Sequence, residues 1–334
     1  MLPHLQQLRS LSKLLRLQAR LLVMEGNFEG AANTLQTGTM LALHLNDEPF
    51  LVQSLVSASI EASLLKVVED WLAQPGAPNL YWALTELPAP FVNAKDAMAT
   101  ERAALYMQFP AMRDAANGHI SAAQWTSMLK AMLSFTAAPN SSPSTSFTEV
   151  GLALVSSAAL PQAKQFLADD GMPAAEIKQL EPYQAIAAFW IRDYERTIQD
   201  MTKWYSLPYA QARGGIAKTE AAFVASKGTL TTPFRAIMPA LGRAMMNMTK
   251  LDRRIAALRV IEAIRAYAAG HDGQLPATLY AITEVPIPID PITGKPFKYT
   301  SMETGFTLEG IADGLSPRDG LRYEVKVVVG NAKP

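Results

Sequence analysis

Gly270-His271-Asp272-Gly273-Gln274-Leu275-Pro276 is the segment that decides the fold, together with Asp290-Pro291-Ile292-Thr293-Gly294-Lys295-Pro296-Phe297-Lys298-Tyr299 a short distance later. The first segment ends a pattern of helically spaced apolar residues that runs through residues 233–269. Gly273 allows the left-handed backbone conformation with which helices commonly end, and Pro276 prevents the helix from resuming. The sequence therefore predicts a long helix that stops near residue 270.

The second segment predicts a change from helix to strand. Asp290 and Pro291 favour a turn, and Phe297 and Tyr299 alternate with polar residues as in a half-buried strand. Asp-Gly and Thr-Gly pairs separate the apolar runs that follow, which is typical of short antiparallel strands. Strands are predicted at residues 297–300, 306–309 and 321–329.

The chain upstream of these segments is predicted to be helical. A second helix begins near Phe28, and the Pro-, Ser- and Thr-rich segment 137–146 predicts a flexible loop. The predicted fold class is mainly α. Residues 1–232 are expected to form a helical-hairpin, solenoid-like domain. Residues 233–334 are expected to contain the long helix and a small α+β domain with a short antiparallel sheet. Further helices are predicted at residues 4–24, 50–72, 80–87, 93–109, 121–135, 147–159, 173–180, 182–205 and 208–225.

The composition narrows the possible chemistry. The 334 residues are 49% hydrophobic and 18% charged, which suits a folded protein of two domains. Cysteine is absent, which excludes disulfides, thiolate metal sites and a cysteine nucleophile. The longest apolar run, residues 150–161, is shorter than the roughly 20 residues of a membrane span. Residues 1–24 lack the pattern of a secretory signal, so an exported form is expected to carry its targeting segment outside this sequence.

Positive charge is concentrated in residues 203–265, although the chain as a whole is neutral. This region holds eleven Lys and Arg residues against three acidic ones, a net charge of +8. One interpretation is a surface that docks on an anionic protein or lipid; the other is that basic and acidic faces neutralise each other within the molecule. The candidate binding residues are Arg243, Lys250, Arg253, Arg254, Arg259 and Arg265.

The first two helices resemble one tetratricopeptide repeat. Leu15, Ala19 and Leu22 lie on the first helix, the turn is Gly26-Asn27-Phe28, and the second helix continues through Ala31 and Leu35. No second copy follows at a period of about 34 residues, which is the period of such repeats. The resemblance implies a packed helical hairpin. One such hairpin cannot form a groove that binds peptides, since at least three repeats are normally needed for a stable stack.

The C-terminal region resembles the globular end of type II secretion pseudopilins. The similarity covers the long helix, the Gly-x-x-Pro exit at residues 273–276, Leu279 and the Asp-Pro-x-x-Gly-x-Pro-Phe-x-Tyr pattern of residues 290–299. The chain lacks the Trp-Gly that usually follows Asp-Pro and the hydrophobic prepilin helix, which argues against a fibre subunit. As a whole, the chain is similar to uncharacterised bacterial envelope proteins, and this similarity implies an extracytoplasmic or periplasmic location.

Pseudopilin tails can hold calcium in a C-terminal loop, so the resemblance implies a possible calcium site at Asp313 and Asp319. Other cofactors are not expected, since the four histidines have no metal-ligand spacing. The segment Gly214-Gly215-Ile216-Ala217-Lys218-Thr219 lacks the spacing and the preceding strand of a phosphate loop. A helix start or a packing glycine is therefore the preferred interpretation of its glycines.

Three function hypotheses remain open from the sequence. The first is a non-enzymatic binding or scaffold protein of the bacterial cell envelope, with a protein partner, no nucleic acid and an undetermined oligomeric state. The second is an enzyme acting on envelope polysaccharide through one buried acid, for which Glu181, Glu195 and Glu262 are candidates. The third is a structural subunit that docks on an anionic partner or lipid through its basic region.

Overall fold

The computed structural model describes residues 3–47, 50–136, 159–225, 238–310 and 319–327. The chain forms two compact units. Unit 1 comprises Met1–Met98, Leu207–Ala212 and Ala244–Pro334, and unit 2 comprises Ala99–Ser206 and Arg213–Arg243. The described residues are mainly helical with a three-stranded antiparallel sheet near the C-terminus, which confirms the predicted fold class.

The described helices follow the predicted order closely. A short helix at Ala111–Ala115 was not predicted. The helix α8 at residues 159–169 was not predicted either, and the helix predicted at residues 147–159 lies, apart from its last residue, outside the described residues. The bounds of the other helices differ from the predictions by a few residues at helix ends, where capping decides the last turn. The helices are α1 (Pro3–Met24), α2 (Phe28–His44), α3 (Leu51–Leu72), α4 (Tyr81–Thr85), α5 (Ala94–Gln108), α6 (Ala111–Ala115), α7 (Ala122–Thr136), α8 (residues 159–169), α9 (Ala174–Gln179), α10 (Pro182–Thr202), α11 (Tyr209–Ala225) and α12 (Met238–Gly270).

A tight turn joins α1 and α2 in unit 1. Gly26 has a φ of 74°, and the Asn27 side chain caps α2 by accepting a hydrogen bond from the Gly30 backbone nitrogen at 3.0 Å. The small residues Ala19 and Ala31 are fully buried, so the two helices pack closely and α3 covers them. The predicted helical hairpin is therefore present.

The centre of unit 1 is the second half of α12. Its apolar residues Leu258, Val260, Ile261 and Ile264 are at most 2% exposed and belong to one core with α3, α4 and the sheet. This half of the helix is apolar on several faces because neighbours surround it, as expected for a buried helix.

The turn chemistry after α12 agrees with the prediction. Gly273 has a φ of 79° just beyond the helix end, and a short 3₁₀ helix at Leu279–Ala281 follows. At the Asp-Pro turn, the Asp290 carboxylate accepts a hydrogen bond from the backbone nitrogen of Ile292 at 2.9 Å. The Asp290 carbonyl accepts another from Gly294, whose φ is 69°. These contacts fix the chain in position to enter the first strand.

The sheet has the order β1-β2-β3, with β1 at Lys298–Met302, β2 at Gly305–Gly310 and β3 at Leu321–Lys326. Both neighbouring pairs are antiparallel, and the register pairs Ser301 with Phe306 and Phe306 with Val325. The central strand β2 is the most buried, with Phe306 and Leu308 each 1% exposed. The sheet therefore joins the same core as α12.

Unit 2 is organised around α10. Its N-terminus is a capping box, in which Glu181 and Gln184 satisfy each other's backbone nitrogens, with Pro182 in the first turn. Ala185 and Ala188 are fully buried against α8 and α9, and Trp190 meets Trp125 of α7 with ring centroids 5.4 Å apart.

Three predicted features lie outside the described residues: the boundary between residues 232 and 233, the flexible loop at 137–146, and the helix at 147–159 apart from its last residue. Among the described helices, α3 alone has the length and composition of a membrane span. The sequence reasoning identified only the shorter run at residues 150–161, whereas an 18-residue window of α3 reaches a mean hydropathy of 1.4. Of that apolar window, 61% is buried within the protein, as in a core helix.

Candidate functional site

Arg253, the most central of the predicted basic residues, is buried rather than at the surface. Its side chain is 2% exposed and forms an ion pair at 2.6 Å with Asp290, which is 1% exposed. A second guanidinium nitrogen donates to the backbone oxygen of Asp319 at 2.7 Å. Arg253 thus joins α12 to the turn before the first strand and to the segment just before the third strand. Its charge does not belong to a basic surface.

Other cations of α12 also contact groups within unit 1. Arg254 forms a two-nitrogen contact with Glu69 of α3, at 2.6 and 2.8 Å, and donates to the Ala62 carbonyl. Arg265 pairs with the buried Glu262 at 2.7 Å and donates to a backbone oxygen of the segment after α3. Arg259 lies over the Tyr81 ring, 5.4 Å from its centroid. These contacts position the segments that pack around α12.

The last two predicted residues are more accessible. Lys250 is half-buried and forms an ion pair at 2.5 Å with Asp319. Arg243 is exposed and belongs to unit 2. Binding of an anionic partner by these residues stays a prediction, but most of the positive charge of α12 is already compensated inside unit 1.

Three of the predicted residues meet at a cleft of about 430 Å³ between α3 and α12. Lys250, Arg253 and Arg254 line it together with Asp319. Its other walls are largely apolar side chains of α3, α12 and the start of β3: Leu55, Ala58, Ala62, Leu251 and Leu321. The cleft combines apolar walls with paired charges.

The predicted calcium ligands are only partly described. Asp313 lies outside the described residues, and the Asp319 carboxylate contacts Lys250 at 2.5 Å, where an ammonium competes with a metal cation. Of the nearby acidic residues, Asp290 binds Arg253, while Glu309 binds Lys298 and Arg322. Within the described part of the chain, no group of three or more potential ligands could hold a metal ion.

Unit 2 contains a larger open groove, of about 580 Å³, between α8, α10 and α11. Three aromatic side chains line it: Phe166, Phe189 and Trp204. The charged lining residues alternate in sign along α10 and into the 3₁₀ helix that follows it at Lys203–Ser206, which also carries Trp204. Polar lining residues continue on α11. The charged and polar residues are Asp193, Arg196, Asp200, Lys203, Lys218 and Thr219. We refer to this feature as the aromatic groove.

Local contacts fix the positions of the side chains that line the aromatic groove. The Trp204 ring nitrogen donates to the Thr219 hydroxyl at 3.1 Å, which fixes the indole against α11. Arg196 lies over the Phe166 ring at 4.7 Å from its centroid, and Lys203 lies 5.4 Å from that of Trp204. Lys218 is exposed and forms no ion pair among the described residues. It is the cation of the groove that is available to a partner.

Gly215 fits the Trp204 ring against α11, in agreement with the predicted packing role of this glycine. A Cβ at Gly215 would lie 2.3 Å from the ring, whereas one at Gly214 would meet nothing within 4 Å. We expect Gly215→Ala to displace Trp204, lower the free energy of unfolding by about 1–3 kcal/mol and shift the indole fluorescence. Gly214→Ala, the matched control, should raise stability by about 0.5–1 kcal/mol because alanine favours helix. Equal stability of the two variants in chemical denaturation would contradict this packing.

The three candidate catalytic glutamates have other contacts. Glu181 is the N-cap of α10, and Glu195 accepts hydrogen bonds from Arg102 and Tyr106. Glu262 is fully buried, where it accepts from Arg265 and from the backbone nitrogen of Leu80 at 2.8 Å. Burial raises the pKa of Glu262, while the Arg265 charge acts in the opposite direction. None of the three lines either described cleft.

Sequence reasoning missed one buried acid, Glu61, and one partly buried acid, Asp252. Glu61 of α3 is 2% exposed, and burial raises its pKa to about 7, although Thr39 donates a hydrogen bond to it at 3.0 Å. Burial raises the pKa of Asp252 to about 6, and its carboxylate accepts from the Phe91 backbone nitrogen at 2.9 Å. The sequence feature that could have identified Glu61 is its position as the only charged residue among residues 51–65 of α3.

Comparisons with known proteins identify no relative of this chain. No family model, curated protein or solved structure matches it. The protein is mainly helical with a small antiparallel sheet.

Proposed function

We propose that this chain is a non-enzymatic binding or scaffold protein of the bacterial cell envelope, and that the aromatic groove of unit 2 holds a segment of its protein partner. The observation that carries this proposal is the grouping of two partly exposed aromatic side chains, Phe166 and Trp204, with an available cation in one open groove. Aromatic side chains at a protein surface offer large, rigid contact areas, which is why they dominate binding energies at interfaces.

The size of the groove fits an extended peptide segment. Its lining residues on α10 run from Phe189 to Asp200, which at 1.5 Å per residue corresponds to about 16 Å. An extended chain rises about 3.3 Å per residue, so about five residues of a partner would span this length. Apolar side chains of the segment would contact Phe166 and Trp204, which are partly exposed. Phe189 is only 4% exposed and packs against the Phe166 ring, with the two ring centroids 4.9 Å apart.

The charges of the groove favour an acidic residue in the partner. Lys203 is paired with Asp200 at 2.6 Å, and Arg196 pairs with Asp170, so these cations are already partly compensated. Lys218 is left to pair with a carboxylate of the partner. The same grouping disfavours nucleic acid, because acidic residues of α10 alternate with the cations along the groove.

The location in the envelope is supported by the C-terminal region. The left-handed exit at Gly273, the Asp290 turn and the three-stranded sheet occur in the order that gives the chain its pseudopilin resemblance. The polysaccharide enzyme and the anionic docking subunit have less support in the geometry. The candidate acids lie outside both clefts, and the cations of α12 are largely paired.

Site-specific crosslinking tests the proposal. A photo-crosslinking amino acid is placed at Lys218 in the groove or at Lys178, an exposed position on α9 of the same unit. The protein is then exposed to a bacterial envelope fraction. We expect a discrete protein adduct from position 218 and none from position 178. The adduct should disappear when an excess of unmodified protein competes for the partner.

Substitutions distinguish a specific groove complex from chance proximity. Trp204→Ala should weaken the complex by roughly 30-fold or more, since buried interface tryptophans contribute 2 kcal/mol or more. Lys218→Glu, which changes an exposed side chain and leaves the fold intact, should also weaken it. Equal crosslinking from positions 178 and 218, or capture unaffected by both substitutions, would contradict the groove as the binding site.

A further inference from the structure

Helix α1 presents two apolar faces, of which only one contacts the rest of unit 1. The packed face contains Leu5, Ala19 and Val23, each at most 5% exposed, and lies against α2 and α3. The second face is formed by Leu14, Leu17, Leu21 and Met24, which are 64%, 50%, 59% and 67% exposed. We call these four residues the outer stripe.

The outer stripe has regular helical geometry. The spacing of three, four and three residues places its members in a line on one side of the helix. At 1.5 Å per residue the stripe is about 15 Å long. Single exposed leucines are normal on protein surfaces, but a continuous line of four is a candidate interaction surface.

A row of basic residues borders the outer stripe. Arg9, Lys13, Arg16 and Arg20 lie at helical spacing on one side of α1, between the packed face and the stripe. Residues Pro3–Met24 contain no acidic residue. Arg20 pairs with Asp70 at 2.9 Å, while the other three form no ion pair with a described residue of the chain.

The charges of α1 indicate which kind of partner binds the outer stripe. A second copy would bring two rows of cations together, because α1 carries no acidic residue that could pair across an α1–α1 contact. A protein helix would need acidic residues placed against each cation. A bilayer of anionic lipids presents negative charge everywhere in its headgroup plane, and its hydrocarbon boundary accepts leucine and methionine side chains without a shaped pocket.

We propose that α1 is an interfacial membrane-binding helix, which lies in the plane of an anionic bilayer with the outer stripe inserted and the basic row on lipid headgroups. Such helices bury their apolar face about 5–10 Å into the boundary between headgroups and acyl chains. The packed face keeps α1 attached to α2 and α3, so the folded protein binds the surface without unfolding. This site is independent of the aromatic groove.

Flotation of the full chain with lipid vesicles tests this assignment. We expect binding to vesicles of phosphatidylcholine with about one third phosphatidylglycerol, little binding to pure phosphatidylcholine, and release as salt is raised. Leu17→Gln combined with Leu21→Gln should abolish flotation. Lys13→Glu should weaken it by at least about fivefold, because each cation near an anionic surface contributes about that factor. These positions are exposed, so the variants should keep the wild-type helical circular dichroism.

Matched controls are Lys66→Glu on α3 and Met107→Gln on α5, which change an exposed cation and an exposed apolar residue elsewhere. Both should float like the wild type. Absence of flotation with anionic vesicles, or flotation unchanged by the α1 substitutions, would overturn the assignment. It is also overturned if Leu17→Gln with Leu21→Gln instead abolishes a dimer, or capture of a protein, while vesicle binding is absent.

Discussion

Replacing Arg253 with methionine is expected to lower the free energy of unfolding of unit 1 by about 3–5 kcal/mol. Methionine fills much of the same volume, but it leaves the carboxylate of Asp290, which is 1% exposed, without its charged partner. An uncompensated buried charge is among the most destabilising changes a single substitution makes. Chemical denaturation measures the loss, and hydrogen exchange should show reduced protection of β1, β2 and β3 amides.

A double variant separates the ion pair from simple packing. Arg253→Met with Asp290→Asn removes both charges, so it should be more stable than Arg253→Met alone. The control is Arg322→Met, which removes an ion pair with Glu309 at 2.8 Å whose arginine is 61% exposed. That pair should contribute less than about 1 kcal/mol. If Arg253→Met costs no more than Arg322→Met, the central role assigned to Arg253 is wrong.

Replacing Glu61 with glutamine is expected to stabilise the protein at pH 8. The pKa of Glu61 rises from 4.5 to about 7 on folding because the carboxyl group is buried, with the Thr39 hydrogen bond as the opposing effect. The folded state therefore binds the proton more tightly than the unfolded state. The stabilising contribution of the protonated group is complete below pH 4.5 and is lost as the pH rises through 7. The change in pKa corresponds to about 3 kcal/mol.

Glutamine keeps an oxygen that can accept from Thr39 and carries no charge, so the variant should lose this part of the pH dependence. Unfolding measured between pH 5 and pH 8 should show a difference between wild type and variant that grows with pH. Asp252, whose pKa is also raised, contributes equally to both proteins and cancels. Glu25→Gln, at an exposed position between α1 and α2, is the control and should follow the wild type. A constant difference across this range would refute the account.

Local sequence signals were sufficient for most of the described helices and strands, although α6 and α8 were not predicted. Turn-forming residues act through the backbone conformation of the few residues around them. The structure has the predicted turns at Gly26, at Gly273 and at the Asp290-Pro291 pair. The strands were also predicted near their observed positions, since alternation of apolar residues is a local pattern. The short helix α6 was missed because five residues are too few to show a helical period.

Interactions between distant parts of the chain could not be predicted in the same way. The sequence shows that Arg253 is basic, but not that its partners lie 37 and 66 residues further along the chain. The same applies to the aromatic groove, whose residues come from several helices. Trp204 was not singled out, because its place beside Gly215 depends on how α10 and α11 pack. Charge and aromaticity are visible in a sequence, whereas burial and pairing follow from the tertiary fold.

The hydrogen bonds of Glu262 have a consequence for synthesis of the protein on the ribosome. Its backbone oxygen and its carboxylate bind Asn79 and Leu80, which precede it by 183 and 182 residues. At roughly 5–20 residues per second, a ribosome needs roughly 10–40 s to make the intervening chain. During that time the apolar residues of α3 that will contact α12 lack their partner. Residues 99–206, which are continuous in sequence, belong to unit 2 and emerge in the interval. The nascent N-terminal helices are therefore the part of this protein most in need of a chaperone.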